Sequence, residues 1–409
     1  MTDDTVSRRR LLAALGTGCA AGLAGCSVDV LDDDDDTEAA SCPPYDPVEP
    51  STTAWRGHLG PSTNTGAVAA AAVPDGELTF DWEASLPTHV GHHVPVVADG
   101  TVYAHDLDDD LAAFDAATGE TLWVTDMTDP VTEPAVSDDT LVVTTREAVH
   151  GFDTTTGDLR WTHRNLGGSW FDASPVVAND TVYLQRGIAT HALALSDGSR
   201  RWRVPTGLPS EATPAVTGDA VYVAGDDTYV RALSPADGSE RWRTKTTARI
   251  ECNLSVVGDT LLAGTEAGVV LALDAGTGAE RWRHQLGPGA PDDRDGDRDR
   301  PARPETLATD GSRVYAATDD YLVALAMTDG TPCWRDRSYQ GGYGSGVAVG
   351  AGNVYAPTDE NAYLSVVDAA TGDRVRGITS ERAQYLAAGP SLAEGGLYLA
   401  GRDAVVRFS

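Results

Sequence analysis

The chain has 409 residues, and its 62 acidic side chains against 30 basic ones leave a formal net charge of −32. With Lys245 as its one lysine, it has the carboxylate-dense composition of a protein kept soluble in concentrated salt, where repulsion is screened, and a halophilic source is expected. The same balance argues against nucleic acid as a partner, because phosphates must be neutralised by Lys and Arg.

In chain order, Ser7 to Leu12 reads as a twin-arginine signal built on Arg8, Arg9 and Arg10. The apolar stretch that follows, ending at Gly25, is too short to span a bilayer comfortably. Leu23, Ala24, Gly25 and Cys26 have the form of a lipoprotein box, so residues 1–25 read as a removed signal and Cys26 as the lipidated first residue of the mature chain. Residues 26–51, with the aspartates 32–36 and prolines after Cys42, read as a charged tether. The expected location is the outer face of the cytoplasmic membrane. Three cysteines remain in the mature body, Cys42, Cys252 and Cys333; no disulfide framework is expected, and Cys333 beside Trp334 reads as a small buried apolar residue.

Residues 52–409 are repetitive. A strand at about residues 77–85 carries Trp82, and tryptophans then recur mostly about forty residues apart at Trp123, Trp161, Trp202, Trp242, Trp282 and Trp334. Four residues before each of these six stands a turn glycine: Gly119, Gly157, Gly198, Gly238, Gly278 and Gly330. A seventh turn ends at Gly372 but carries Arg376 where tryptophan is due. Val/Tyr/Leu-rich runs between the turns lack a helical period, which predicts four short strands per unit and a propeller blade.

Eight copies of the second-strand run predict eight blades, and the last copy stops at its third strand, 404–408. The expected fold is all-β: an eight-bladed β-propeller of four-stranded antiparallel blades, its last blade completed by the N-terminal strand, which removes an open edge. The seven tryptophans read as locks, each packed over a turn glycine and against the next blade.

The strings Ala113 to Trp123 and Ala272 to Trp282 resemble the PQQ-like β-propeller family, and the resemblance covers roughly residues 52–409. The run from Trp55 to Gly66 resembles the opening segment of the family's exported, non-catalytic members, which include the lipoprotein propeller of the outer-membrane BAM complex. That partner is not carried over, since a salt-loving cell with this signal need not have an outer membrane. Quinoprotein dehydrogenases of the same superfamily hold pyrroloquinoline quinone and calcium in the mouth of the ring. They are typically longer, and many alcohol-oxidising members have an adjacent cysteine pair that is absent here. No cofactor is therefore expected, although quinone and calcium stay as the alternative.

Loops from each outer strand to the next inner strand should converge on the central funnel. They bring His92, Asp172, Glu211 and Glu251 to equivalent positions, with Glu133 and Glu305 close by and Trp170 and Tyr343 in the same loops. Carboxylates there suit a hard cation and aromatics a stacked ligand, yet a chain this acidic puts carboxylates there by composition alone. His89, His92 and His93 lack a further ligand fixed by spacing. The Asp/Arg-rich insertion within 288–303 fits no EF-hand register and reads as a solvated loop. The reading is a monomeric, non-catalytic, lipid-anchored propeller that binds an exported or membrane protein or a ligand. The alternatives are a small quinoprotein dehydrogenase and a solute or polysaccharide sensor.

Overall fold

Among the described residues thirty-two strands follow from the alternation of apolar runs with glycine turns, and they assemble into eight four-stranded antiparallel sheets. This is a computed structural model, which describes residues 42–74, 77–86, 93–105, 110–127, 132–164, 166–167, 173–207, 212–250, 252–287, 301–318, 320–336, 339, 346–357, 364–378, 389–400 and 404–409. Blade one comprises Val96–Ala98, Thr101–His105, Asp110–Asp115 and Thr121–Asp126, each strand paired with the next. Inner and middle strands are buried on both faces between neighbouring blades, so they read as continuous apolar runs. Outer strands alternate instead, with the tryptophan as the one inward residue in strands such as Arg200–Pro205. Among the described residues no helix is long and apolar enough to cross a membrane.

Each tryptophan locks onto the following blade. Trp123 Nε1 donates to Thr154 O at 2.9 Å, Trp161 to Leu195 O at 2.8 Å and Trp202 to Pro235 O at 2.8 Å. Each indole lies where the next blade's turn glycine has no side chain: a Cβ on Gly198 would sit 2.4 Å from Trp161 Cε3. That glycine also has φ +67°, a backbone that other residues adopt only under strain.

The ring closes as expected. Phe80–Ser85 pairs antiparallel with Ala404–Phe408 and supplies the outer strand of blade eight. Thr79 and Ser409 exchange backbone hydrogen bonds of 2.8 and 3.0 Å, and Arg407 reaches Asp81 at 2.7 Å. Trp82 then lies over Gly119 of blade one. The seam also accounts for Arg376. A tryptophan there would need a turn glycine between the third and outer strands of blade eight, but those strands, Ala404–Phe408 and Phe80–Ser85, are not consecutive in the chain, so no turn joins them to lock onto.

The cysteines depart from expectation. Cys42 and Cys333 form a disulfide with Cα atoms 5.1 Å apart across 291 residues of sequence, so Cys333 is not the isolated apolar residue it resembled; Cys252 is buried as a thiol whose Sγ lies 3.6 Å from Gly264 O. Spacing could not reveal the pair, because Cys42 lies in a stretch that reads as tether. From Cys42 onward that stretch is fixed on blade six: Arg313 donates to Pro43 O at 2.6 Å, Tyr45 to Asp310 at 2.8 Å, and Val48 N to Asp310 O at 2.8 Å.

Candidate functional site

Toward the middle of the ring, the inner strands bond to another part of the same chain. In every blade the inner strand starts at the mouth, where the preceding outer strand arrives, and ends in the turn to the second strand. Residues 53–72 form a lead-in segment, the plug, that bonds to the inner strands or the turns after them in seven of the eight blades, blade three being the exception among the described residues. Thr53 O accepts from Glu394 N of blade eight, and Trp55 exchanges two 2.7 Å bonds with Val97 of blade one. Arg56 O then takes Val136 N of blade two, Ser62 O takes Val216 N of blade four and Thr63 O takes Val256 N of blade five. Thr65 O takes Thr309 N of blade six, Gly66 O takes Val349 N of blade seven, and Ala72 O returns to Gly395 N of blade eight.

Side chains add to these bonds. Trp55 and Leu59 are fully buried. Asn64, held at φ +52° in the left-handed region that asparagine tolerates, donates to Pro214 O at 2.6 Å and Leu254 O at 3.1 Å. Gly66 has no room for a side chain, since a Cβ would meet Val347 O at 2.8 Å and Ala308 Cβ at 2.9 Å. An unmet carbonyl inside a protein is costly, so the segment's backbone and the inner strands satisfy one another.

On the mouth side of this plug, Glu133 joins three blades. It precedes the inner strand of blade two, Ser174 precedes that of blade three and His93 that of blade one, while His58 rises from the plug. Ser174 Oγ donates to Glu133 Oε2, His58 Nδ1 lies 3.4 Å from Oε2, and His93 Nδ1 lies 3.8 Å from Oε1. The His93 ring packs on His105 with centroids 4.3 Å apart. Burial alone would push the Glu133 carboxyl up, but the imidazoles of His58 and His93 hold it well below the usual carboxylate range.

The cluster is therefore a fastening of an ionised carboxylate between plug and blades. A group whose folded pKa is depressed adds stability above its unfolded pKa, and that stability is lost as pH falls through the folded value. Replacing Glu133 by Gln should accordingly lower stability at neutral pH and flatten the loss on acidification below about pH 4, as read by thermal melts across pH. Equal acid limbs for the two proteins would remove Glu133 from this role.

Of the mouth residues expected from sequence, His93, Glu133 and Glu305 are described, and His93 and Glu133 are brought together. Glu305 lies in Pro304–Thr309 of blade six, on the opposite side of the ring from Glu133. His92, Asp172, Glu211, Glu251, Trp170 and Tyr343 lie outside the described residues, as do His89 and residues 288–300 of the insertion. No group of three His, Cys, Asp or Glu side chains able to hold a metal occurs among the described residues. The Glu133 carboxylate is occupied by imidazoles and a hydroxyl, which is no cradle for calcium. His58 and Ser174 were missed; His58 sits inside the Trp55 to Gly66 run, but nothing in the sequence aims it at Glu133.

The chain matches the family model described as outer membrane protein assembly factor BamB over residues 64–212 and 149–378. Among solved structures it is similar to BamB from Moraxella catarrhalis, with a TM-score of 0.65 and 16% identity over 81% of this chain and 100% of that one. It is also similar to quinohemoprotein alcohol dehydrogenases from Pseudomonas putida (TM-score 0.68) and Comamonas testosteroni (0.67), each 14% identical over 87% of this chain and 80% of the other. At these identities the likeness speaks for the fold alone. No curated protein matches the chain.

Proposed function

Because the chain belongs to the PQQ-like propeller family whose model is described as outer membrane protein assembly factor BamB, we propose that it is a non-catalytic scaffold presenting a rigid protein-binding surface. It is held to the outer face of the cytoplasmic membrane of a halophile by a lipid on Cys26. The observation that carries this reading is the plug. Residues 53–72 bond around the inner strands, so the ring's middle is spent on rigidity and its outer surfaces remain for recognition. The Cys42–Cys333 disulfide supports export, since such bonds persist in oxidising compartments.

The test is to isolate the native protein from membranes in concentrated salt after mild crosslinking, alongside a Cys26→Ser variant. The scaffold reading expects the same exported or membrane protein in repeated preparations, and release of the variant from the membrane fraction. Preparations that retain no protein, but reduce a dye with alcohols or sugars once quinone and calcium are added, would replace it with the quinoprotein alternative.

A further inference from the structure

The outer strands are not alike in charge. In blade three the outer strand Arg200–Pro205 exposes Arg200, Arg201 and Arg203, and in blade four Glu240–Lys245 exposes Arg241, Arg243 and Lys245. Trp202 points toward blade four, where it meets Gly238, so Arg201 and Arg203 on either side of it face the groove toward blade two. The corresponding strand of blade eight, Phe80–Ser85, carries Asp81 and Glu83 beside its tryptophan instead.

In a chain with twice as many acids as bases, exposed arginines normally find carboxylates. Arg160 is paired with Asp139 and Asp153, Arg281 with Asp259 and Asp274, Arg283 with Glu280, Arg164 with Glu147 and Arg249 with Glu266. Arg243 has Glu240 at 3.7 Å. Arg200, Arg201, Arg203, Arg241 and Lys245 have no ion pair among the described residues, although Asp197 lies close enough to Arg201 for its carboxyl to be lowered by that charge after its bonds to Ser199. Five cations outside any ion pair among the described residues, on the outer strands of two neighbouring blades of a strongly acidic protein, form a patch with an unmet preference.

We infer that the side wall of blades three and four docks a carboxylate-rich segment of a partner protein. The inference rests on the scaffold reading and names the chemistry of its partner. A protein carboxylate is favoured over a lipid surface by the salt to which the composition is adapted. Attraction to a charged surface acts over the Debye length, which falls to about 3 Å near 1 M salt. Bidentate arginine–carboxylate pairs act in direct contact and add geometry to charge.

A fluorescently labelled deca-glutamate peptide is the probe, its binding to the full mature protein followed by anisotropy in about 1 M KCl. The comparison variants are Arg200→Gln/Arg201→Gln/Arg203→Gln/Arg241→Gln and, as a control elsewhere on the rim, Arg164→Gln/Arg283→Gln. All these positions are exposed, and equal melting temperatures confirm that the fold is kept. The wall variant should bind the peptide about tenfold more weakly or worse, a loss of about 1.4 kcal/mol, with the control within twofold of wild type. Equal binding by the wall variant overturns the inference, as does wild-type protein that ignores the peptide or prefers phosphatidylglycerol vesicles in the same salt. Native co-purification separates the two claims. Partners retained equally by the wall variant sink the docking wall and leave the scaffold, whereas no partner on the wild type sinks the scaffold itself.

Discussion

Trp55→Ala should cost about 4 kcal/mol of stability, the range for removing a fully buried large aromatic. The indole has no exposed surface and belongs to the cluster that joins the plug to blades seven, eight and one through Leu59, Val68, Val97, Leu364 and Leu399. Gly60 turns back beneath it at φ +75°, with space for a Cβ only 3.3 Å from Trp55 Cε3, so the backbone is shaped around the ring. Trp55→Phe distinguishes packing from hydrogen bonding. Trp55 Nε1 is buried without a partner, a state that costs about 1–3 kcal/mol, so phenylalanine removes an unmet donor while keeping most of the ring. The Phe variant should melt close to wild type and the Ala variant well below it, both in one cooperative transition. A plug that only decorated a self-sufficient ring would give an Ala variant with nearly unchanged thermal stability.

What the sequence made legible was whatever the chain repeats. Turn chemistry is local: in the turn from Asp115 to Gly119 the carboxylate takes Thr118 N and Oγ1 at 2.8 and 2.9 Å, and the pattern recurs at Asp274 and Asp368. Seven turns that each close on a glycine and are held by an aspartate carboxylate, placed either four residues before it or directly before it, therefore show through in the sequence, and both the blade count and the closing strand follow. The plug has no such signal. Its residues are irregular, and Thr63, Thr65 and Gly66 bond to positions hundreds of residues away, so nothing in a window of sequence reports them. The Cys42–Cys333 pair is hidden for the same reason. At the mouth, Glu133 was visible because it sits beside an aligned position. Its setting was not, because His58 reaches it from the plug and Ser174 from the next blade.

Trp82→Ala should cost about 3 kcal/mol or more, and its effect should differ in kind from the loss of any other lock. Trp82 is nearly buried, lies 6.1 Å from the Tyr398 ring and donates to Ala116 O at 3.2 Å. The same contacts occur at Trp202, which stacks 5.9 Å from Tyr183 and donates to Pro235 O. Comparable burial predicts comparable melting losses for Trp82→Ala and Trp202→Ala. The difference lies in connectivity. Trp202 locks a blade whose four strands follow one another along the chain, so the covalent turn keeps its outer strand in place. Trp82 holds a strand joined to the rest of blade eight by no covalent turn but by backbone pairing and by side-chain contacts such as Asp81–Arg407 and Phe80–Phe408, with Thr79 and Ser409 meeting where the turn would be. Opening the seam needs no other blade to unfold, so in Trp82→Ala amide exchange should quicken in Phe80–Ser85 and Ala404–Phe408 at once. In Trp202→Ala those two strands should exchange as in wild type. If both variants left the end strands equally protected, the seam would not be the weak point of the ring, and the plug, which ties blade eight to blade one through Thr53, Trp55 and Ala72, would be the true clasp.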